Sequence, residues 1–388
     1  MKADHPQADA PYAPYRFVGH ACALIVLAAV AWEFIANVRH PSDRDFLSFW
    51  AAAKMALAGT PWLAYDNGAL HALQSAVATF SIAGGEMPFP YPPAYLLLVL
   101  PFGLLSFPAG LIAWSLTTMA FYLFAGRRLF PDSGWLALAF PAVFANAAIG
   151  QNAFVTAGIF MLGLALLKRR PLAAGLVLGC LAIKPQLALL LPVALLAGRQ
   201  WQAIAGAATS AAGILIGGLL LFGVASTEAW LHQLPLYAQI GRDGLVGWHK
   251  LVSVYAAARQ AGLDTGAALI VHGLVVLVAA GVVWPVWRCD GDVRAKAAIL
   301  AAATPLASPY VFHYDGLILV PAFLWLARQT ISPAIVLALW CIPLLMISQL
   351  LAAQPLNLGP VAPLALMALL LQRWREAAGS SRGAVPAR

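Results

Sequence analysis

The chain has 388 residues, of which 62% are hydrophobic and only 10% are charged, and its formal net charge is +8. A mean hydropathy of +0.81 excludes an ordinary soluble domain and predicts an all-α, polytopic membrane protein. The four cysteines lie in apolar runs or beside cationic residues, so no disulfide framework is indicated.

The first apolar run covers residues 17–37. It looks like a secretory signal, but Lys2 and Arg16 precede it and no small-residue cleavage site follows it. We therefore expect an uncleaved first span, preceded by a cytoplasmic tail of residues 1–16.

A long polar and aromatic segment, residues 38–92, separates this run from the next. Asp43 and Asp45 open a helical pattern whose aromatic residues, from Phe46 onward, share one face. The pattern predicts amphipathic helices that lie flat against the membrane and bring carboxylates to its border. A purely structural role also fits the two aspartates, as N-caps of the helix that begins near Phe46.

The rest of the chain alternates between apolar runs and charged turns, and such runs can cross a hydrocarbon core of roughly 30 Å as helices. Together with the first run, the candidates are 17–37, 93–107, 108–126, 133–149, 152–167, 171–184, 185–198, 201–223, 265–287, 296–309, 314–327, 331–350 and 356–372. The charge pattern allows only an even number of crossings between 93 and 149, where three runs lie. Two of these runs therefore form one passage, or one is re-entrant, and we expect about 12 transmembrane helices in one domain, residues 17–373.

Lysine and arginine collect at alternate turns, which the positive-inside rule assigns to the cytoplasm. These cations are Lys2, Arg16, Arg127, Arg128, Lys168, Arg169, Arg170, Arg199, Arg288, Arg294, Lys296, Arg328, Arg373, Arg375, Arg382 and Arg388. Both termini, including the tail 374–388, are thus expected inside, and the loops 38–92 and 224–264 outside.

In this orientation, the polar residues that would be unfavourable in lipid lie together at the outer face. They are Gln151, Asn152, Lys184, Gln186, Trp248, His249, Lys250, His313, Tyr314 and Asp315. An isolated ionisable group near a span is costly, which favours a functional role for Lys184 and Asp315. Structural explanations remain open: Lys184 can snorkel to the interface, His313 can belong to an aromatic belt, and Gln151 can join helices.

The residue types at this face suit sugar transfer from a lipid-linked donor. A carboxylate can deprotonate an acceptor hydroxyl, a lysine can hold the leaving phosphate, and aromatic rings can stack on a pyranose. The sequence has no metal-ligand spacing, no glycine-rich phosphate loop and no nucleophile elbow.

The order of these motifs resembles glycosyltransferase family 87. The resemblance rests on Asp-Phe-x-x-Phe-Trp from Asp45, Tyr91-Pro92-Pro93, Gly150-Gln151-Asn152, Ala174-Gly175 followed by Ile183-Lys184-Pro185, and His313-Tyr314-Asp315. It implies a GT-C-like fold and an inverting, metal-free and cofactor-free reaction that uses a polyprenyl-phosphate sugar, most simply mannose. The expected partners are this donor, a lipid or glycan acceptor and the lipid bilayer, with no nucleic acid, at the outer face of a bacterial plasma (inner) membrane.

The resemblance also implies a role for one aspartate of the loop 38–92. Asp45 is expected to be the general base, with Asp43 as the alternative. Position and charge make Lys184 and His313 the first candidates for binding the donor phosphate, with Lys250 and Arg259 as further candidates. The candidates for binding substrate are Tyr91, Gln151, Asn152, Gln186, His249, Tyr314 and Asp315.

Two other classes of protein remain open from the sequence. A secondary transporter also has about twelve spans and broken helices, and Lys184 or Asp315 could couple its ions. Against it, the hydropathy shows no inverted repeat, and the ionisable groups lie at one face instead of the midplane. A non-catalytic scaffold or lipid binder would explain the amphipathic loop but not the combination of carboxylate, lysine and histidine.

Overall fold

The computed structural model describes residues 11–80, 87–131, 133–348 and 357–382. Lys2, Arg388 and parts of the loop 38–92, of the runs 331–350 and 356–372 and of both predicted tails lie outside these residues.

The described elements are helices, with two isolated β-bridges, Ser42 to Thr79 and Leu251 to Phe312. The helices are α1 (Arg16–Arg39), α2 (Phe46–Leu57), α3 (Asn67–Ser75), α4 (Leu96–Val99), α5 (Phe107–Leu129), α6 (Gly134–Ala139), α7 (Pro141–Ile149), α8 (Ala153–Leu166), α9 (Pro171–Gly179), α10 (Leu191–Ala197), α11 (Trp201–Asp243), α12 (Val254–Gln260), α13 (Thr265–Arg288), α14 (Val293–Ala307), α15 (Val320–Leu326), α16 (Pro333–Ser348) and α17 (Val361–Arg382). Short 3₁₀ turns connect several of them, and the all-helical prediction is confirmed for this part of the chain.

Four helices of the described chain are long and apolar enough to cross a membrane. They contain α1, α5, α11 and α13, which correspond to predicted runs, and large apolar side chains such as Leu24 and Leu220 are exposed on them. Such side chains suit contact with lipid. The predicted number of about twelve spans remains a prediction, because the other apolar helices are shorter.

Proline breaks account for most of the shorter helices, because it removes a backbone donor and clashes with the preceding turn. The run 133–149 divides into α6 and α7 at Pro141, and the stretch 171–198 is interrupted at Lys184 and Pro185. The run 93–107 forms only short helical pieces that end at Leu104, which favours the re-entrant alternative for this part of the topology.

Two predictions about the outer segments need correction. Helix α2 does not lie flat on a membrane surface, because Phe46–Ala53 are buried in the protein on all sides. The amphipathic helix of this loop is α3, which buries Leu70 and Gln74 and exposes its other face. The stretch 224–264 is also not mainly loop, since α11 continues past the run 201–223 to Asp243.

Helix α11 changes direction where the predicted run ends. Gly223 has φ 81° and ψ 167°, a conformation that a helix cannot contain and that L-residues rarely adopt. Beyond it, side chains of α11 hold the segment before α4: Trp230 donates to the carbonyl of Pro90 and Tyr237 to that of Phe89. The part of α11 that follows Gly223 therefore packs over the segment that carries Tyr91.

The described structure makes the predicted orientation testable at exposed positions. Gln151 and Lys184 are buried, so cysteines for labelling belong elsewhere. In a protein without its four native cysteines, Asp66→Cys and Lys250→Cys should react with an impermeant thiol reagent in intact spheroplasts. Arg169→Cys and Arg199→Cys should react only after permeabilisation, because their cationic turns are expected inside. The opposite pattern of labelling would contradict the orientation.

Candidate active site

The candidate site begins at the N-terminus of α2. Asp45 occupies the N-cap position, but its side chain makes no capping hydrogen bond to the helix. Its Oδ2 instead accepts a hydrogen bond of 2.9 Å from Nε2 of Gln151. The capping role considered from the sequence therefore does not account for this carboxylate.

Gln151 reaches Asp45 because of the sharp turn between α7 and α8. Gly150 ends α7 in the left-handed conformation, with φ 69°, which suits glycine at a helix C-terminus. A Cβ at this position would also overlap Leu111 and Phe46, so two separate constraints favour glycine. Oε1 of Gln151 accepts from the backbone N–H of Asn152 at 3.1 Å, which fixes the direction in which its amino group points.

Lys184 lies at the break between α9 and α10, where Pro185 prevents the helix from continuing. Its ammonium is 2.6 Å from Oδ1 of Asp315 and 3.2 Å from Oδ1 of Asn152. With 3% of its surface exposed, Lys184 does not snorkel to the interface. Its cation is also 5.0 Å from the centre of the Tyr314 ring, within the range of a cation–π interaction.

Asp315 reaches Lys184 from the connection between α14 and α15. Its second oxygen, Oδ2, accepts from the backbone N–H of Phe312 at 3.2 Å, and only 1% of the residue is exposed. Lys184 and Asp315 were selected from the sequence as isolated charges, and the structure joins them as a buried ion pair.

Aromatic rings form another wall of the site. Tyr91 and Tyr95 stack with their ring centres 4.2 Å apart, and their hydroxyl groups lie beside the Asn152 amide. Phe49 packs edge-on against both rings. Tyr95 was not selected from the sequence, although its i, i+4 spacing from Tyr91 was a usable signal.

The last side of the site is the loop before α12. Asn357 donates to the carbonyls of Trp248 and Leu251, and the N–H of Val252 donates to the carbonyl of Val311. The bond from Val252 attaches the loop to the segment that carries Asp315, and the bonds from Asn357 attach it to the segment before α17. Lys250 is exposed on it, and its charge acts on Asp45.

Burial raises the pKa of the Asp45 carboxyl above its ordinary value. The hydrogen bond from Gln151 and the positive charges of Lys250 and Lys184 lower this pKa, while the negative charge of Asp43 raises it. The net direction is upward, so burial is the dominant cause. A carboxylate of this kind is a stronger base than an exposed one.

His313 faces the loop with Lys250, and burial lowers its pKa to about 4. The ring is therefore neutral near pH 7. It hydrogen-bonds the backbone carbonyl of Lys250, so the nitrogen that faces this carbonyl carries the proton. Nδ1 is buried without a partner among the described residues, which leaves it as an acceptor.

The remaining predicted residues lie at the edge of this arrangement. The Arg259 guanidinium is 5.3 Å from the Trp248 ring centre and donates to the carbonyl of Leu263. His249 is close enough to His313 for its charge to act on that ring. Gln186 is half-buried in the turn after Lys184, and Asp43 donates its backbone N–H to Thr79.

Comparison with known proteins assigns the chain to a family. The model of glycosyltransferase family 87 matches residues 89–309, more than half of the chain. This range contains Tyr91, Gln151 and Lys184, whereas Asp45 lies before it and Asp315 after it. No curated protein and no solved structure matches the chain significantly. The match favours an enzyme over a transporter or scaffold, and the chain belongs to glycosyltransferase family 87.

Proposed function

We propose that this glycosyltransferase moves a sugar, most simply mannose, from a polyprenyl-phosphate donor to a hydroxyl of a lipid or glycan acceptor at the outer membrane face. The observation that carries the proposal is the half-buried Asp45 carboxylate, which is held by Gln151 and acted on by the exposed charge of Lys250. Such a transfer requires a base for the acceptor hydroxyl and a cation for the leaving phosphate, close to one another.

In the proposed reaction, Asp45 accepts the proton of the acceptor hydroxyl as its oxygen attacks the anomeric carbon of the donor. The bond from that carbon to the phosphate oxygen breaks, and the phosphate leaves with the electron pair. Attack opposite the leaving group inverts the configuration at the sugar. The candidates for contact with the sugar ring are Tyr91, one face of which stacks on Tyr95, and Tyr314.

We assign the donor phosphate to Lys250 before Lys184. The Lys184 charge is already balanced by Asp315, whose carboxylate would repel a phosphate brought beside it. Lys250 is exposed, and Arg259 supports the neighbouring Trp248. His313, whose free Nδ1 is an acceptor, suits a sugar hydroxyl better than a phosphate oxygen.

Replacement of the base tests the proposed chemistry. Asp45→Asn should lower kcat by ~10² to 10⁴, because an amide cannot accept the hydroxyl proton. The measurement is transfer from radiolabelled polyprenyl-phosphate mannose to a membrane lipid extract in detergent. Asp66→Asn, which changes an exposed aspartate of the same loop, is the matched control. A larger loss in Asp43→Asn than in Asp45→Asn would exchange the two roles, and no loss in either would refute the proposal.

The pH profile tests the environment of the base. Asp45 acts when ionised, so kcat/KM should fall as the pH drops through its raised pKa. Gln151→Leu removes a hydrogen bond to the ionised form, which raises the pKa further and should move the acid limb to higher pH. Lys250, Lys184, Asp43, Tyr91 and Tyr314 also act on or face this carboxylate and stay unchanged in that variant. An acid limb that stays in place or moves to lower pH would contradict Asp45 as the titrating base.

Donor kinetics distinguish the two lysines. Lys250→Met should lower kcat/KM for the polyprenyl-phosphate donor by ~10², the order expected for one lost contact to a developing oxyanion. Arg242→Met removes another exposed cation of the outer segment and serves as the control. If Lys184→Ala raises the donor KM while Lys250→Met does not, the phosphate lies at Lys184, as the sequence analysis predicts.

A further inference from the structure

The buried ion pair is connected to the proposed base by an unbroken set of hydrogen bonds. Lys184 donates to the side chain of Asn152 at 3.2 Å, and the backbone N–H of Asn152 donates to Oε1 of Gln151 at 3.1 Å. Nε2 of Gln151 then donates to Asp45 at 2.9 Å. The path from Asp315 to Asp45 thus passes through Lys184, Asn152 and Gln151.

Each bond in this set restricts the next one. The oxygen and the amino group of an amide point in different directions, so the bond from the Asn152 N–H to Oε1 of Gln151 favours the orientation in which Nε2 faces Asp45. Asn152 is itself fully buried at the start of α8, where Lys184 holds its side-chain oxygen. Asn152 thus contacts both Lys184, through its side chain, and Gln151, through its backbone N–H.

The polar groups of Lys184 and Asp315 are largely used by other groups of the protein, which leaves little of them for a substrate. Both are enclosed, and two of the three N–H donors of the ammonium are used by Asp315 and Asn152. Asp315 in turn uses its second oxygen for the backbone N–H of Phe312. The pair consequently fixes three chain segments: the break after α9, the start of α8 and the turn after α14.

We propose that Lys184 and Asp315 are positioning residues, which act through Asn152 and Gln151 to set the geometry of Asp45. The inference rests on the proposed function, since it assigns a purpose to the orientation of the base. It also differs from the roles that the sequence predicts for the two residues, which are donor-phosphate binding for Lys184 and substrate binding for Asp315.

Two double variants separate hydrogen bonding from charge. Lys184→Met with Asp315→Leu removes the charges and the hydrogen bonds, whereas Lys184→Gln with Asp315→Asn removes the charges and keeps donors and acceptors of similar shape. The first variant, the apolar pair, should lower kcat by ~10², the order of loss for a catalytic group displaced by about 1 Å. The second variant, the amide pair, should lower kcat by no more than about tenfold. The donor KM should change little in both variants.

A third variant tests whether the effect passes through Gln151. Adding Gln151→Leu to the apolar pair should cause little further loss of kcat, because residues that act as one unit are not additive. The acid limb of kcat/KM should also lie at the same pH with and without this addition. Of the groups that face Asp45, only Lys184 and Gln151 differ between these variants and the wild type, while Lys250, Asp43, Tyr91 and Tyr314 are retained.

Two results would overturn the inference. One is an equal loss of kcat in both double variants together with a raised donor KM. The other is a loss of kcat on adding Gln151→Leu that is as large in the apolar pair as in the wild type. Thermal unfolding of each variant with and without polyprenyl phosphate identifies those that do not fold. If the apolar pair does not fold, the amide pair alone decides, since a raised donor KM in it would contradict positioning. A wild-type protein that neither transfers mannose nor responds to polyprenyl phosphate would refute the proposed function instead, which is a distinguishable outcome.

Discussion

The ion pair between Lys184 and Asp315 is the interaction around which the polar interior of this membrane protein is arranged. Removing an ion from water costs several kcal/mol, so a buried lysine is stable only with a partner of opposite charge and with its N–H groups satisfied. Asp315 and Asn152 provide both. Because the partners belong to three separate segments, the pair also determines how these segments approach one another.

The polar site forms where several apolar helices are interrupted close to one another in space. Proline ends the helix at Lys184, glycine ends α7 before Gln151, and an extended segment at Ser308–Phe312 precedes Asp315. Irregular backbone at the depth of a membrane is tolerated only inside protein or beside a water-filled cavity. The side chains at these breaks are buried, and Gln151, Lys184 and Asp315 hydrogen-bond to other protein groups.

Other helices pack around this interior. Helix α2 is buried and anchored by Trp50, which donates to the carbonyl of Leu105, while the C-terminal half of α11 covers the segment with Tyr91. A carboxylate on a buried helix start is more basic and more precisely placed than one on a surface helix. The loop with Lys250 supplies the exposed cation of the arrangement.

The amino-acid sequence by itself determined the class of the protein, because hydropathy and charge distribution are local properties of the chain. It also predicted α1, α5 and α13 closely and the first half of α11. Gln151, Lys184 and Asp315 could be selected because polar residues within apolar sequence are conspicuous, and Asp45 because it opens a helical pattern after the first span. The family resemblance read from the motifs is confirmed by the match over residues 89–309.

Only the tertiary structure decided which of these residues meet. Lys184 and Asp315 are 131 positions apart and Asp45 and Gln151 are 106 apart, and no periodicity of the sequence specifies such pairs. The same limit explains the error about α2: its aromatic face suits a membrane surface as well as a protein interior, and burial depends on the elements that pack around it. The i, i+4 spacing of Tyr95 from Tyr91 indicates a shared helix face, but only the structure shows that the two rings stack beside Asn152.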